Sequence, residues 1–198
     1  MLGVIILAGG RGTRMGGADK ASVTLGGERL IDRLLRQLPY GVPASVVSPY
    51  HLGMPQVCES PLFGGPVAGI AAGHAALNGG GLSTTAILAV DAPDSPQMLP
   101  VLERTLVRSG ADVAVATLEG RIQPLCALWR TAALAHALSE LGDPRNQPAM
   151  RLLRQARTVV HVQGDDSVRD IDTVDELHER RKARQTTCLL YTSDAADE

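Results

Sequence analysis

The sequence predicts a single α/β domain in three layers, with helices on both faces of a mostly parallel sheet. Two observations point there. Short apolar runs of strand length alternate along the chain with stretches of helical spacing, and no linker-like segment or internal repeat divides the 198 residues. Several of the runs are apolar at every position instead of alternating, as strands covered on both faces are.

Val4-Ile5-Ile6-Leu7 is the first such run and ends at Gly9-Gly10. A glycine-rich stretch follows. Leu30, Ile31, Leu34, Leu35 and Leu38 then recur at helical spacing up to Pro39, which ends that helix. Ala44–Val47 is a second strand between Pro43 and Pro49. Val67–Leu77 reads as a helix of small residues, opened by Gly64-Gly65-Pro66. Ala86–Val90 is another buried strand, with Asp91 at its carboxyl end. Leu99, Leu102 and Leu106 share one helix face, and Val113, Val115 and Thr117 alternate as a strand. Glu119-Gly120 turns the chain into a strand over Pro124–Trp129, and Thr131–Leu141 is a helix closed by Gly142. Met150, Leu152 and Leu153 mark a short helix, and Val159–Val162 another strand. A last helix is expected from Thr173, whose capping box Glu176 completes.

Composition excludes several classes. Aromatic residues make up 3% of the chain, too few for a platform that stacks single-stranded nucleic acid. A formal charge of −2 provides no field to gather nucleic acid or an anionic membrane. No apolar run approaches the roughly 20 residues that span a bilayer. Cys58, Cys126 and Cys188 are widely spaced and odd in number, so buried free thiols and a reducing, cytoplasmic setting are expected. The domain is expected over residues 1–184. Residues 185–198 carry three acids, no base and no periodicity, and read as an appended tail.

The chemistry concentrates in the loop after the first strand, LAGGRGTRMGGADK, from Leu7 to Lys20. Gly9, Gly10 and Gly12 let backbone N–H groups approach phosphate oxygens, while Arg14 and Lys20 neutralise phosphate charge. A P-loop would need lysine at Ala18, and the dinucleotide fingerprint a glycine at Met15. In open α/β sheets ligands bind at the carboxyl ends of strands, where both this loop and Asp91 fall. The plain alternative for Asp91 is a turn cap. His51, His74, His136, His161 and His178 are scattered and form no metal or triad motif.

LAGGRGTRMGGADK resembles the N-terminal signature of the MobA-like nucleotidyltransferases, which include the molybdenum cofactor guanylyltransferases. Further motifs follow in that family's order: Gly65-Pro66-Val67-Ala68-Gly69, Val90-Asp91-Ala92-Pro93, Gln123–Leu128, and Asp170–Leu177. The resemblance covers residues 2 to about 180 and implies a Rossmann-like fold, Mg²⁺ as cofactor and a nucleoside triphosphate joined to a phosphorylated acceptor. It implies that Leu7, Ala8, Gly9, Lys20, Ser48, Glu59 and Asp91 contact the nucleotide. Asp91 would also ligate the metal, with Asp172 as a second candidate, and Asp170 and Asp172 would lie near the acceptor. Gln123 replaces a histidine of the guanylyltransferases. Asp170 and Asp172 replace asparagines, as is common in sister cytidylyltransferases.

The expected activity is transfer of GMP from GTP to molybdopterin cofactor with release of pyrophosphate, catalysed through Arg14, Lys20 and Asp91. Transient contact with proteins that deliver the cofactor is a further expectation. The nearest alternatives are cytidylyl transfer to the same cofactor and nucleotidyl transfer to another acceptor such as a sugar phosphate. A nucleotide-binding regulator without catalysis is the alternative from another class.

Overall fold

The computed structural model describes residues 1–10, 20–77 and 81–171. Its centre is a six-stranded sheet built from β1 (Leu2–Leu7), β4 (Ala44–Val47), β5 (Thr84–Ala89), β6 (Val113–Leu118), β7 (Arg121–Arg130) and β8 (Val159–Gln163). Their order is β4-β1-β5-β7-β6-β8, with all pairings parallel except the two made by β7. The mostly parallel sheet is therefore as expected, with one reversed strand. β7 runs backwards because a tight turn at Glu119-Gly120 joins it directly to β6.

The apolar faces explain the layers. Along β1, Val4 and Ile6 enter one core while Ile5 enters the other, because successive side chains alternate across a strand. α1 (Leu30–Arg36) and α3 (Leu99–Ser109) cover the first face. α2 (Pro66–Leu77), α4 (Thr131–Leu141) and α5 (Ala149–Leu153) cover the second, around the fully buried Trp129. α2 lies close to the sheet because it presents glycines there. A Cβ on Gly73 would come within 2.6 Å of Ile5 Cγ2 and 3.0 Å of Val47 Cγ2.

Three details differ from expectation. A small hairpin, β2 (Thr24–Leu25) and β3 (Glu28–Arg29), precedes α1. Its turn is Gly26-Gly27, at φ of 63° and 85°, the left-handed pair that two-residue hairpins favour. α1 stops at Arg36, before Leu38 and Pro39. Cys126 is buried as expected, but Cys58 is exposed, because it lies on a loop beyond the sheet edge and not in either core. The helix expected from Thr173 and the tail 185–198 lie outside the described residues. Among the described residues, no helix is long and apolar enough to cross a membrane.

Candidate active site

β1 and β5 are neighbours, yet the helices that follow them lead to opposite sides: α1 on to β4, α3 on to β6. Such a divergence opens a crevice at the carboxyl ends of the two strands. Lys20 arrives there from β1 and Asp91 from β5. Lys20 Nζ stands 3.5 Å from Asp91 Oδ2, with side chains 21% and 27% exposed. The pair is thus reachable from solvent while held in place.

The chain leaves β1 under tight control. The Ala8 amide donates to the Val47 carbonyl at 2.8 Å, and the Leu7 carbonyl accepts from the Val90 amide at 3.0 Å. Leu7 and Ala8 are therefore locked between β4 and β5. At Gly9 the backbone passes over the loop after β4, where a Cβ would lie 2.7 Å from Pro49 Cδ. Only glycine fits this approach without a shift. Tyr50 Oη then donates to the Gly10 carbonyl at 3.1 Å.

The loop after β4 forms the wall on that side. Ser48 is buried, and its hydroxyl accepts the Tyr50 amide at 3.1 Å, so it shapes the loop. Gln56 ties the loop together by donating to the Ser48 carbonyl at 3.1 Å and accepting the Leu52 amide at 2.8 Å. Two backbone bonds, Val57 amide to Val46 carbonyl and Ser48 amide to Val57 carbonyl, both 2.9 Å, lay Val57 alongside β4. They carry the chain on to the half-buried Glu59. Glu59 Cγ lies 3.6 Å from where a Cβ on Gly64 would sit. The Asn146 amide donates to the Gly64 carbonyl at 2.6 Å, pinning the loop that opens α2.

On the other side, the Asp91 carbonyl accepts the amide of the fully buried Ile171 at 2.8 Å. This tether brings the exposed Asp170 alongside Asp91. Burial, with the Asp170 carboxylate adding to it, pushes the Cys126 thiol up to about 12. Cys126 is therefore an inert neighbour and not a nucleophile. Pro124 lies in an irregularity of β7, where Ala116 pairs with Gln123 but the preceding Val115 pairs with Ala127. Bulges accept proline because a residue there is released from the ladder. The extra residues keep Ile122 and Leu125 on the Trp129 face. Gln123 lies opposite Ala116, whose side chain belongs to the face of α1 and α3.

Of the sequence candidates, Leu7, Ala8, Gly9, Gly10, Lys20 and Asp91 thus meet at one rim, flanked by Ser48 and Glu59 on one side and Asp170 on the other. Gly12, Arg14 and Asp172 lie outside the described residues. Tyr50, Gln56, Asn146 and Ile171 also shape the site. Sequence reasoning passed over them because Tyr50, Asn146 and Ile171 act through main-chain contacts made far along the chain, while Gln56 acts by folding its side chain back on its own loop. Among the described residues, no three His, Cys, Asp or Glu side chains converge as a metal cluster. Mg²⁺ does not need one, since it is usually held by one or two carboxylates together with substrate phosphates. The partly exposed Asp91, with the main chain of Asp170 and Ile171 tethered beside it, fits that chemistry.

Comparison with known proteins agrees with this geometry. The profile of the MobA-like NTP transferase domain matches residues 4–160. A molybdenum cofactor guanylyltransferase of Acidiphilium cryptum is 38% identical over 152 residues, covering 72% of this chain and 73% of that protein. One of Sinorhizobium fredii is 34% identical over 138 residues, covering 65% of this chain. The chain spans just under two thirds of that relative, 63% of its length. The crystal structure of molybdopterin-guanine dinucleotide biosynthesis protein A from Archaeoglobus fulgidus superposes with a TM-score of 0.69 at 21% identity, covering 94% of this chain and all of that one, which shows the fold. With four fifths of its length inside the matched domain, the chain belongs to the MobA-like NTP transferase family.

Proposed function

We propose that the protein is a Mg²⁺-dependent nucleotidyltransferase that moves GMP from GTP to molybdopterin cofactor. The observation that carries this reading is the Lys20–Asp91 pair, set 3.5 Å apart where the loops of β1 and β5 diverge. A cation and a hard oxygen ligand at one point suit a triphosphate with its metal. The names of the relatives supply the guanine nucleotide and the acceptor.

An acceptor phosphate is already an anionic nucleophile, so the reaction needs no general base. One of its oxygens bonds to the α-phosphorus of GTP as the bond from that phosphorus to the departing pyrophosphate oxygen breaks. The electron pair leaves with pyrophosphate. Catalysis then consists of positioning and charge neutralisation. Lys20, with Arg14 from the same loop, neutralises the triphosphate. Gly9 and Gly10 let the phosphates approach the main chain. Glu59 and the loop around Ser48 border the nucleoside, and Asp170 and Asp172 border the acceptor. Asp91 would hold Mg²⁺, which supplies electrostatic stabilisation of the leaving pyrophosphate.

Two carboxylates near the acceptor are also the feature shared with cytidylyltransferases, so the decisive assay pits GTP against CTP. Pyrophosphate release with molybdopterin cofactor and Mg²⁺ is expected with GTP and lost in Lys20→Ala. Release with CTP alone would assign the cytidylyl reaction. Release with neither, at intact nucleotide binding, would point to another acceptor or to a regulator.

A further inference from the structure

α1 touches all three loops that build the site. Its first residue, Leu30, donates its amide to the Val23 carbonyl at 2.9 Å, holding the segment that carries Lys20. Just before it, Arg29 donates to the Leu52 carbonyl at 2.9 Å, holding the loop after β4. Its far side holds the turn after β5. There the Arg33 guanidinium pairs with the Asp94 carboxylate. Gln37, just past the helix, donates to Asp94 Oδ1 at 3.1 Å and to the Pro93 carbonyl at 2.9 Å, and accepts from Gln97 at 2.9 Å.

The turn held this way is Asp91-Ala92-Pro93-Asp94. Its backbone is compact, with the Ala92 amide on the Ala89 carbonyl and the Ser95 amide on the Ala92 carbonyl. A displacement at Asp94 is therefore passed to Asp91, three residues away.

Stability alone accounts poorly for a charge placed here. Arg33 is buried, and its Nε–H has no partner among the described residues. A buried donor left unmade is a penalty. Buried ion pairs are commonly matched or bettered by apolar residues of similar volume. A leucine-like residue at position 33 would extend the apolar face of α1 without that penalty. What it would not do is fix the turn at one place.

The geometry points to Arg33 as a positioning residue that acts through Asp94 to set the Asp91 carboxylate against Lys20. This inference rests on the nucleotidyl-transfer reading, because it gives the fixed spacing a purpose: receiving one Mg²⁺–triphosphate. Partners of metal-binding groups typically alter metal affinity or activity 10–100-fold when removed.

The test uses the full chain with Arg33→Met, Asp94→Leu and both together. Each single change strands a charge, the buried Arg33 or the partly buried Asp94, and is expected to lower the melting temperature. The double variant removes both charges and should melt close to wild type. Its half-saturating Mg²⁺ for GTP binding, followed by calorimetry, should nevertheless rise at least about tenfold. The Ile171 and Ser95 amides should exchange at least tenfold faster with deuterium. A double variant that regains wild-type melting, Mg²⁺ dependence and amide protection together would overturn the inference, since the pair would then be structural only. Faster exchange with unchanged Mg²⁺ dependence would overturn it as well. Should wild type itself show no Mg²⁺-dependent GTP binding, the guanylyl reading falls, and the exchange rates still decide whether Arg33 holds the turn.

Discussion

The two rims of the same sheet are built on different rules. At the amino rim, polar groups are spent on joining strands. The chain's amino group donates to Ser83 Oγ at 2.7 Å, and the Ser83 amide returns to the Met1 carbonyl at 2.9 Å. Thr85 and Thr131 hydroxyls meet at 2.9 Å. Arg130 donates to the Ala111 carbonyl at 2.8 Å, and the Asp112 carboxylate accepts the Arg157 amide at 3.0 Å. At the carboxyl rim, the tethers that position Asp91, Gly10 and Gly64 run through their main-chain carbonyls. The charged side chains in front of these tethers, Lys20, Asp91, Glu59 and Asp170, stay partly or fully exposed, while the Arg33–Asp94 pair holds the turn from behind. A rim whose polar side chains are committed to joining strands gains stability, whereas one tethered at the main-chain carbonyls of its site residues and braced from behind leaves the side chains at its front for a ligand.

The largest effect that would test this contrast is at Asp91. Asp91→Asn keeps the shape, the main-chain carbonyl and the Ile171 tether, and removes only the charge. Turnover in the pyrophosphate assay should fall on the order of a hundredfold or more, as for loss of one strong electrostatic stabiliser. The melting temperature should stay near wild type. A large drop in melting with normal turnover per folded molecule would mean that the carboxyl rim is structural after all.

Between the rims, the packing under α2 should affect stability alone. Gly73→Ala puts a methyl within 2.6 Å of the fully buried Ile5, so helix and sheet must separate. Overpacking of this kind typically costs about 1–3 kcal/mol, read from urea denaturation. Turnover of the folded fraction should not change. At the amino rim, Thr85→Val removes the hydroxyl contact with Thr131 in a fully buried residue of nearly the same shape. The expected loss is about 1 kcal/mol, again with no change in nucleotide binding. Weakened binding in either variant would show that the rims are mechanically coupled.

Much of this was legible in the chain. Apolar runs placed β1, β4 and β5, and heptad-like leucines placed α1 and α3, because buried strands and amphipathic helices leave periodic traces. Lys20 and Asp91 were legible through motif and position. Arg33 was not. In Leu30-Ile31-Asp32-Arg33-Leu34 it reads as an exposed charge on a helix surface, and its partner is 61 residues away. The hairpin at Gly26-Gly27 carried its turn signal, but its two-residue strands are too short to show alternation. The irregularity around Pro124 is set by how β6 and β7 pair, which no local pattern records. Cys58 went wrong for a related reason: the average cysteine is buried, and only the tertiary course of the loop after β4 exposes this one.

The smallest predicted effect concerns His74, in the half of α2 that leads away from the site toward the amino rim. Two influences oppose each other there. A cation in the last turn of a helix is favoured by the macrodipole. Burial disfavours it, and burial wins, holding the His74 imidazole below its ordinary value. The sign of the consequence follows. The unfolded chain takes up the proton near pH 6.5, while the folded chain resists until a lower pH. Above that range both states are neutral and His74 contributes nothing. As pH falls through it, the unfolded state binds more protons and stability drops. Because His74 is only half buried, solvent screens much of this, and the change should be the least of the four. Urea midpoints at pH 7.5 and 5.5, compared between wild type and His74→Gln, isolate it from the carboxylates common to both. Wild type should lose more on acidification than the variant, while GTP binding at pH 7.5 is the same for the two. Equal losses would mean that the imidazole finds compensation at the helix end. A binding difference would carry the influence of α2 all the way to the carboxyl rim.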